Sequence, residues 1–278
     1  MTLSAHSMSA RFLGEAGKRF MAVHFKPAGR PVAHIVYLPP FGEEMNRCRA
    51  LVAEQARQFA RAGYNCTVLD FFGTGDSEGE FHEADFVTWL ANTQLLIDTL
   101  QSEQQLPVVL WGLRLGAVLA LEYAAQAMGP IQDIILWQPI TSPKRYVTQI
   151  LRQRVASLVG KDLPPETTED IRQRLEEGQN VEISGYIVGG GLIRDMERTD
   201  PYAAGVLCRG KIHWLENISE PGELISKGSG RAVAQLQENN TVEVQLFADP
   251  PLWQLHKRDS APELLSITRM LLLGGRVE

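Results

Sequence analysis

This chain reads as an α/β protein: a mostly parallel central sheet with helices packed on both faces. Three observations carry that reading. β-rich apolar runs alternate with stretches of helical periodicity through the first half of the chain. The clearest run, His34-Ile35-Val36-Tyr37-Leu38, is continuously apolar after its first residue, as a strand buried on both sides must be. Glycines or prolines follow several of the runs, where a buried strand has to turn into a loop.

The elements follow in order. Pro39-Pro40 stops the first strand, and residues 46–62 then set Leu51, Ala56, Phe59 and Ala60 at helical spacing, with Gly63 as the closing cap. Asn65 to Asp70 is the next strand and leads into a glycine-rich turn at 73–79. Residues 83–102 return to helical periodicity through Phe86, Leu90, Ile97 and Leu100. Pro107 to Trp111 is a third strand, an apolar helix runs from Gly112 toward Gly129-Pro130, and Ile131 to Trp137 is a fourth strand. Residues 141–200 break the alternation with amphipathic helical stretches, an Arg/Glu-rich segment at 166–177 and Gly189-Gly190-Gly191, without buried strands. They are expected to form a helical cap inserted into a single domain spanning residues 1–278. Strands resume at Lys211 to Leu215 and Val242 to Phe247, and a last helix at 262–273 presents Leu264, Leu265, Ile267 and Leu271.

Composition excludes several classes of function. With 278 residues, 44% hydrophobic and 22% charged, the chain can bury a full core. A formal net charge of −6 gives no overall attraction for nucleic acid or anionic lipid. Cys48, Cys66 and Cys208 are odd in number and lack CxxC spacing, which argues against a disulfide framework or zinc site and suits a reducing compartment. No apolar run approaches the roughly 20 residues of a membrane span, so a cytoplasmic location is expected. The histidines have no helical ligand spacing and no phosphate-cradling glycine loop is present, so neither metal nor cofactor is expected.

The chemistry-bearing motifs cluster at strand ends. Asp70-Phe71-Phe72-Gly73-Thr74-Gly75-Asp76-Ser77 resembles the Asp-x-x-Gly-x-Gly-x-Ser turn of α/β-hydrolases, a structural turn with no catalytic part. Trp111-Gly112-Leu113-Arg114-Leu115-Gly116-Ala117 stands where that fold carries Gly-x-Ser-x-Gly. Arg114 thus occupies the nucleophile's position, and a guanidinium that stays protonated without a usable lone pair cannot attack a carbonyl. For the acid, Glu220 in Asn217-Ile218-Ser219-Glu220 is the candidate, with Glu216 as its rival. For the histidine, His256 lies in the right zone, and Trp253 aligns with the position equally well. The loop Leu38-Pro39-Pro40-Phe41-Gly42-Glu43-Glu44 matches the oxyanion loop. Pro40 has no amide to donate, but the Phe41 and Leu115 amides could still form an oxyanion hole. Glu43 and Glu44 would repel anions at that mouth and could pair with Arg114.

Taken together, these pieces resemble one group closely, the α/β-hydrolase-like proteins associated with the exosortase A system, of the type called hydrolase 2. The carriers are Leu38-Pro39-Pro40-Phe41 with Glu43-Glu44-Met45-Asn46, the Trp111 to Gly116 turn, and Asp249-Pro250-Pro251-Leu252-Trp253. The resemblance implies a bacterial cytoplasmic protein whose genes accompany exopolysaccharide production and the sorting of proteins with a C-terminal anchor signal. Three functions remain open. One is an atypical hydrolase of an ester, thioester or related acyl substrate, with Glu220 and His256 activating water directly. Another is a pseudoenzyme binding an anionic or acyl ligand through Arg114, Leu115, Phe41 and Gly42. The third is an interaction protein, a homo-oligomer or a partner within the exopolysaccharide pathway. Arg114 could instead serve an internal ion pair with Glu43, Glu44, Asp249 or Glu220.

Overall fold

The computed structural model describes residues 6–126, 129, 131–158, 164–202, 205–220, 222–254 and 260–273. The chain opens with strands β1 (Ser7–Leu13), β2 (Phe20–Lys26) and β3 (His34–Leu38), followed by helix α1 (Glu43–Arg61), β4 (Asn65–Asp70) and α2 (Phe86–Glu103). Next come β5 (Val108–Leu113), α3 (Leu115–Ala125) and β6 (Ile131–Trp137). A segment of α4 (Pro143–Leu158), α5 (Thr168–Glu176), β7 (Val181–Ile183), β8 (Tyr186–Val188) and α6 (Gly190–Arg198) precedes β9 (Lys211–Asn217). The described chain finishes with α7 (Lys227–Gln237), β10 (Thr241–Phe247) and α8 (Pro262–Leu273).

Eight strands make one sheet in the order β1-β2-β4-β3-β5-β6-β9-β10. β2 runs antiparallel to both β1 and β4, and all the remaining neighbours are parallel. Successive side chains of a strand face opposite ways, so the central strands feed two cores. Val36, Leu38, Leu110, Ile134 and Leu136 pack on the side of α2, α3 and α7. Ile35, Tyr37, Val109, Trp111, Ile135 and Trp137 pack on the side of α1 and α8. α3 is buried along almost its whole length, which explains why its sequence is apolar all round with no amphipathic stripe.

The expected strands and helices are present, several with shifted ends. β5 continues through Gly112 and Leu113 into the sharp turn, and α1 begins at Glu43. α2 starts only at Phe86, where the Asp85 carboxylate accepts the Thr88 amide at 2.7 Å as an N-cap. The absence of strands expected within 141–200 is corrected: β7 and β8 pair there as an antiparallel hairpin. Its turn sets Ser184 and Gly185 at φ 53° and 87°, and three-residue strands are too short to leave a period in the sequence. The triple glycine reflects close packing. A side chain on Gly189 would meet the His82 carbonyl, and one on Gly190 the Leu175 carbonyl.

The position of the site follows from strand order. β3 lies between β4 and β5, so its chain neighbour β4 lies on one side and β5 on the other. At such a switch point the loops leaving the carboxyl ends of the two strands diverge and open a crevice. The loop after β3 and the turn after β5 are held together there by Gly116. A Cβ at this residue would collide with the Leu38 carbonyl oxygen and come within 2.7 Å of the Pro39 oxygen.

Gly116→Ala should therefore destabilise the protein by about 1–3 kcal/mol, the usual cost of overpacking. Gly29→Ala, where an added Cβ meets nothing within 4 Å, should be neutral or stabilising by a few tenths of a kcal/mol. Thermal unfolding of the two variants beside the natural protein checks this, and equal melting temperatures would refute the crowding argument.

Candidate functional site

The turn between β5 and α3 holds Arg114 at φ 55°, ψ −112°, a left-handed conformation that a side-chain-bearing residue adopts only under constraint. Its amide donates to the Trp137 carbonyl at 3.0 Å, which ties the turn to β6. Leu115 then starts α3, and the first amides of a helix have no partner within the helix. Across the crevice, Gly42 at φ 56° caps α1. An added Cβ there would lie no closer than 3.7 Å to the Tyr186 ring, so backbone conformation rather than space calls for glycine. Among the described residues, neither the Phe41 nor the Leu115 amide donates a hydrogen bond. The Phe41 ring is fixed edge-on between Phe81 and Tyr146, at centroid distances of 5.3 and 6.3 Å.

Arg114 reaches Glu44 on the first turn of α1 through a single contact, Nε to Oε1, at 3.4 Å. Its guanidinium lies 5.5 Å from the centre of the Tyr146 ring and 5.7 Å from that of Trp253, within cation–π range of both. Its terminal amino groups donate to no described residue. The side chains of Arg114 and Glu44 are only 14% and 16% exposed, so the pair is largely withdrawn from water. Burial pushes the Glu44 carboxyl above its ordinary value, outweighing the opposing pull of Arg114, of the Tyr146 hydroxyl and of Arg47. Glu44 Oε2 is buried without a hydrogen-bond partner of good geometry.

Neighbouring groups complete the walls of a cavity of about 690 Å³ that includes Phe41, Glu44, Arg114, Tyr146, Tyr186 and Trp253. Arg47 lies 3.9 Å from Glu43 and donates to the carbonyls of Trp253 and Gln254 at 3.3 and 3.1 Å, holding the segment after β10 against α1. The Tyr186 hydroxyl donates to Glu43 at 3.2 Å and accepts from Asn46 at 2.8 Å, which brings the β7–β8 hairpin to the same rim.

The fold thus gathers Arg114, Leu115, Phe41 and Gly42, together with Glu43 and Glu44, at one mouth. Glu220 is not among them; it is exposed in the loop after β9 and does not line the cavity. Its rival Glu216 is buried, but its carboxylate accepts from Trp214 Nε1 at 2.9 Å and from the Ser226 amide at 3.1 Å, a structural engagement on β9. Asp249 accepts the Leu264 amide at 2.7 Å near the start of α8, so of the four carboxylates considered as ion-pair partners, Glu44 is the one within reach of Arg114. His256 lies outside the described residues. The glycine turn has its structural part: Ser77 Oγ donates to the Asp70 carbonyl at 2.6 Å and accepts the Met21 amide at 2.9 Å, while Asp70 pairs with Arg49 at 3.1 Å. Cys66 is buried within β4, and burial drives its thiol far above the ordinary value. Tyr146 and Tyr186 also line the cavity. They come from the segment between β6 and β9, and no local spacing links them to the turn.

Known structures share this architecture. Est1E from Butyrivibrio proteoclasticus with ferulic acid bound superposes with a TM-score of 0.65 at 14% identity over 95% of this chain and 98% of that one. A thermostable carboxyl esterase from Bacillus coagulans, in complex with glycerol, gives 0.62 at 15% identity over 96% and 98%. The thioesterase domain of the curacin biosynthetic pathway gives 0.53 at 15% identity over 96% and 99%. No curated protein matches in sequence. Among the described residues, no helix is long and apolar enough to cross a membrane. The sequence family described as serine aminopeptidase, S33, matches residues 29–232, and with its eight-stranded, helix-covered sheet this chain belongs to that family of α/β-hydrolase fold.

Proposed function

We propose that the chain is a hydrolase-fold protein that binds an anionic ligand, a carboxylate or phosphate, with Arg114 in the position a serine nucleophile would take. The observation that carries this reading is the state of Arg114. It lines a cavity, lies within cation–π range of two aromatic rings, and has no described partner on its terminal amino groups. Guanidinium and carboxylate or phosphate match as paired donors and acceptors. The start of α3 adds its dipole and the Leu115 amide, and Phe41 offers a second amide across the crevice. The residues 141–200 act in this reading as a cap, contributing Tyr146 and Tyr186 to the wall. Resemblance to the hydrolase 2 group of the exosortase A system supports a cytoplasmic role beside exopolysaccharide production, with the ligand drawn from that chemistry.

Hydrolysis of an ester or thioester is the second reading. The unengaged Phe41 and Leu115 amides favour it, as does likeness to esterases and a thioesterase, with water activated directly in place of a serine. Glu220 and His256 are its acid and base, and the exposed position of Glu220 weighs against that pairing.

Calorimetric titration with acetate, hexanoate, ferulate and inorganic phosphate tests the first reading. At least one should bind, and Arg114→Ala should weaken it roughly tenfold to a hundredfold, as loss of a charged hydrogen bond worth about 1.5–3 kcal/mol requires. Undiminished affinity in Arg114→Ala would refute it. Release of p-nitrophenol from graded acyl esters tests the second. Natural protein and Arg114→Ala should both stay at the rate without enzyme, whereas turnover in the natural protein that disappears in His256→Ala would make hydrolysis the primary reading.

A further inference from the structure

The charges lining this cavity are balanced before any ligand arrives. Glu43 lies near Arg47, and Glu44 near Arg114. An anion bound to Arg114 would leave the cavity with one negative charge in excess and would take from Glu44 its nearest cation. In a site this withdrawn from water an uncompensated carboxylate is costly.

We infer that Glu44 is a proton-accepting partner in the ligand site, so that the cavity takes up a monoanionic acid together with one proton: the acid's oxygens go to Arg114 and the proton to the Glu44 carboxylate. This rests on the reading of Arg114 as an anion site. The geometry supplies both halves of the exchange. The Glu44–Arg114 contact is long and uses one nitrogen, so a bidentate ligand can displace it. Glu44 Oε2 is already buried without a hydrogen-bond partner of good geometry, the Tyr146 hydroxyl being the neighbouring donor.

Other groups around Glu44 are poorly suited to carry that proton. Arg114 faces it from the turn and Arg47 from its own helix, and both guanidiniums stay charged. Cys48, one turn along α1, has its thiol pushed up to about 12 by burial and by Glu44 itself. Tyr146 on α4 and Tyr37 on β3 are raised well above the ordinary phenol value, mainly by burial, and keep their protons. Glu43 is already engaged by the Tyr186 hydroxyl, by Asn46 and by Arg47. Glu44 starts above the usual carboxylate range, and removing Arg114's attraction raises it further.

The sign of the pH dependence follows. Below the free-state value of Glu44 the group is already protonated, and the ionised form of the ligand binds most tightly there, although less of the ligand is ionised as the pH falls through its own carboxyl range. Between the free and bound values one proton enters with each ligand and affinity falls by up to about tenfold per pH unit. Above the bound value Glu44 stays charged and affinity levels off at its weakest. A dianion brings a second negative charge and is disfavoured against a monoanion of similar size.

Calorimetry of the natural protein with hexanoate, in pairs of buffers of different ionisation enthalpy, measures the proton directly. The expected result is uptake of up to one proton per hexanoate within that window. Glu44→Gln should remove both the uptake and the slope, and should bind at least about tenfold tighter at the basic end. Hexanoate binding that needs Arg114 but brings no proton, or a Glu44→Gln variant with the natural slope, would overturn this inference and leave the anion site standing. Binding that survives Arg114→Ala unchanged, or no hexanoate binding at all, would overturn the inference by removing the monoanion site on which it rests; phosphate or ferulate binding through Arg114 would then still support the broader anion reading.

Discussion

The close approach of α3 to the end of β3 is the constraint on which the site depends. Gly116 lets the first turn of the helix rest against the carbonyls of Leu38 and Pro39. That contact sets the distance between the turn carrying Arg114 and the loop carrying Phe41 and Gly42. It also puts the amino ends of α3 and α1 on either side of one crevice, so two sets of unshared amides and two helix dipoles favour negative charge there. Glu43 and Glu44 occupy the first turn of α1, where acidic side chains are usual. In this protein they also counter the guanidiniums of Arg47 and Arg114.

Electrostatics inside the cavity are therefore finely opposed. Burial disfavours the charged form of Glu44, while Arg114 favours it, and burial wins in the free protein. Arg114 meets Glu44 at 3.4 Å through one nitrogen and also lies within cation–π range of the Tyr146 and Trp253 rings. A guanidinium held by aromatic faces keeps its edge available for hydrogen bonds. That arrangement differs from a structural ion pair, in which the planar fork would be filled by paired carboxylate oxygens.

Most of the sheet was legible in the sequence because its central strands are buried on both sides and leave continuous apolar runs. β1 left no such mark: Ser7-Met8-Ser9-Ala10-Arg11-Phe12-Leu13 is mostly exposed and owes its form to pairing with β2. α7 was hidden by Gly228 and Gly230 near its start, where the Ser226 hydroxyl accepting the Ser229 amide does the work of initiation. At the site, motif and chain order suggest Arg114, Phe41, Gly42 and Leu115, and the structure puts them at the ends of β3 and β5. Glu220 lies exposed in the loop after β9, a strand that runs on to Asn217, two residues beyond the end its sequence suggests. The contacts of Tyr146 and Tyr186 leave no local signal in the sequence, since their place depends on how α4 and the β7–β8 hairpin pack against the crevice. Trp253 was readable only as an alternative, and in the structure it lies against Arg114.

The backbone at Arg114 is held in a sparsely populated conformation. A left-handed residue other than glycine costs on the order of 1–3 kcal/mol, and it persists only where the surroundings enforce it. Glycine would relieve that strain, and the turn already uses glycine at positions 112 and 116, where crowding demands it. Crowding does not act at 114, because the side chain projects into a cavity. A long, permanently charged side chain at the strained position puts a cation where the fold directs amides and a helix dipole, and all three favour the same kind of ligand. The strain belongs to the sharp strand-to-helix turn itself, and the cation faces the cavity because that turn makes residue 114 project from the end of the sheet.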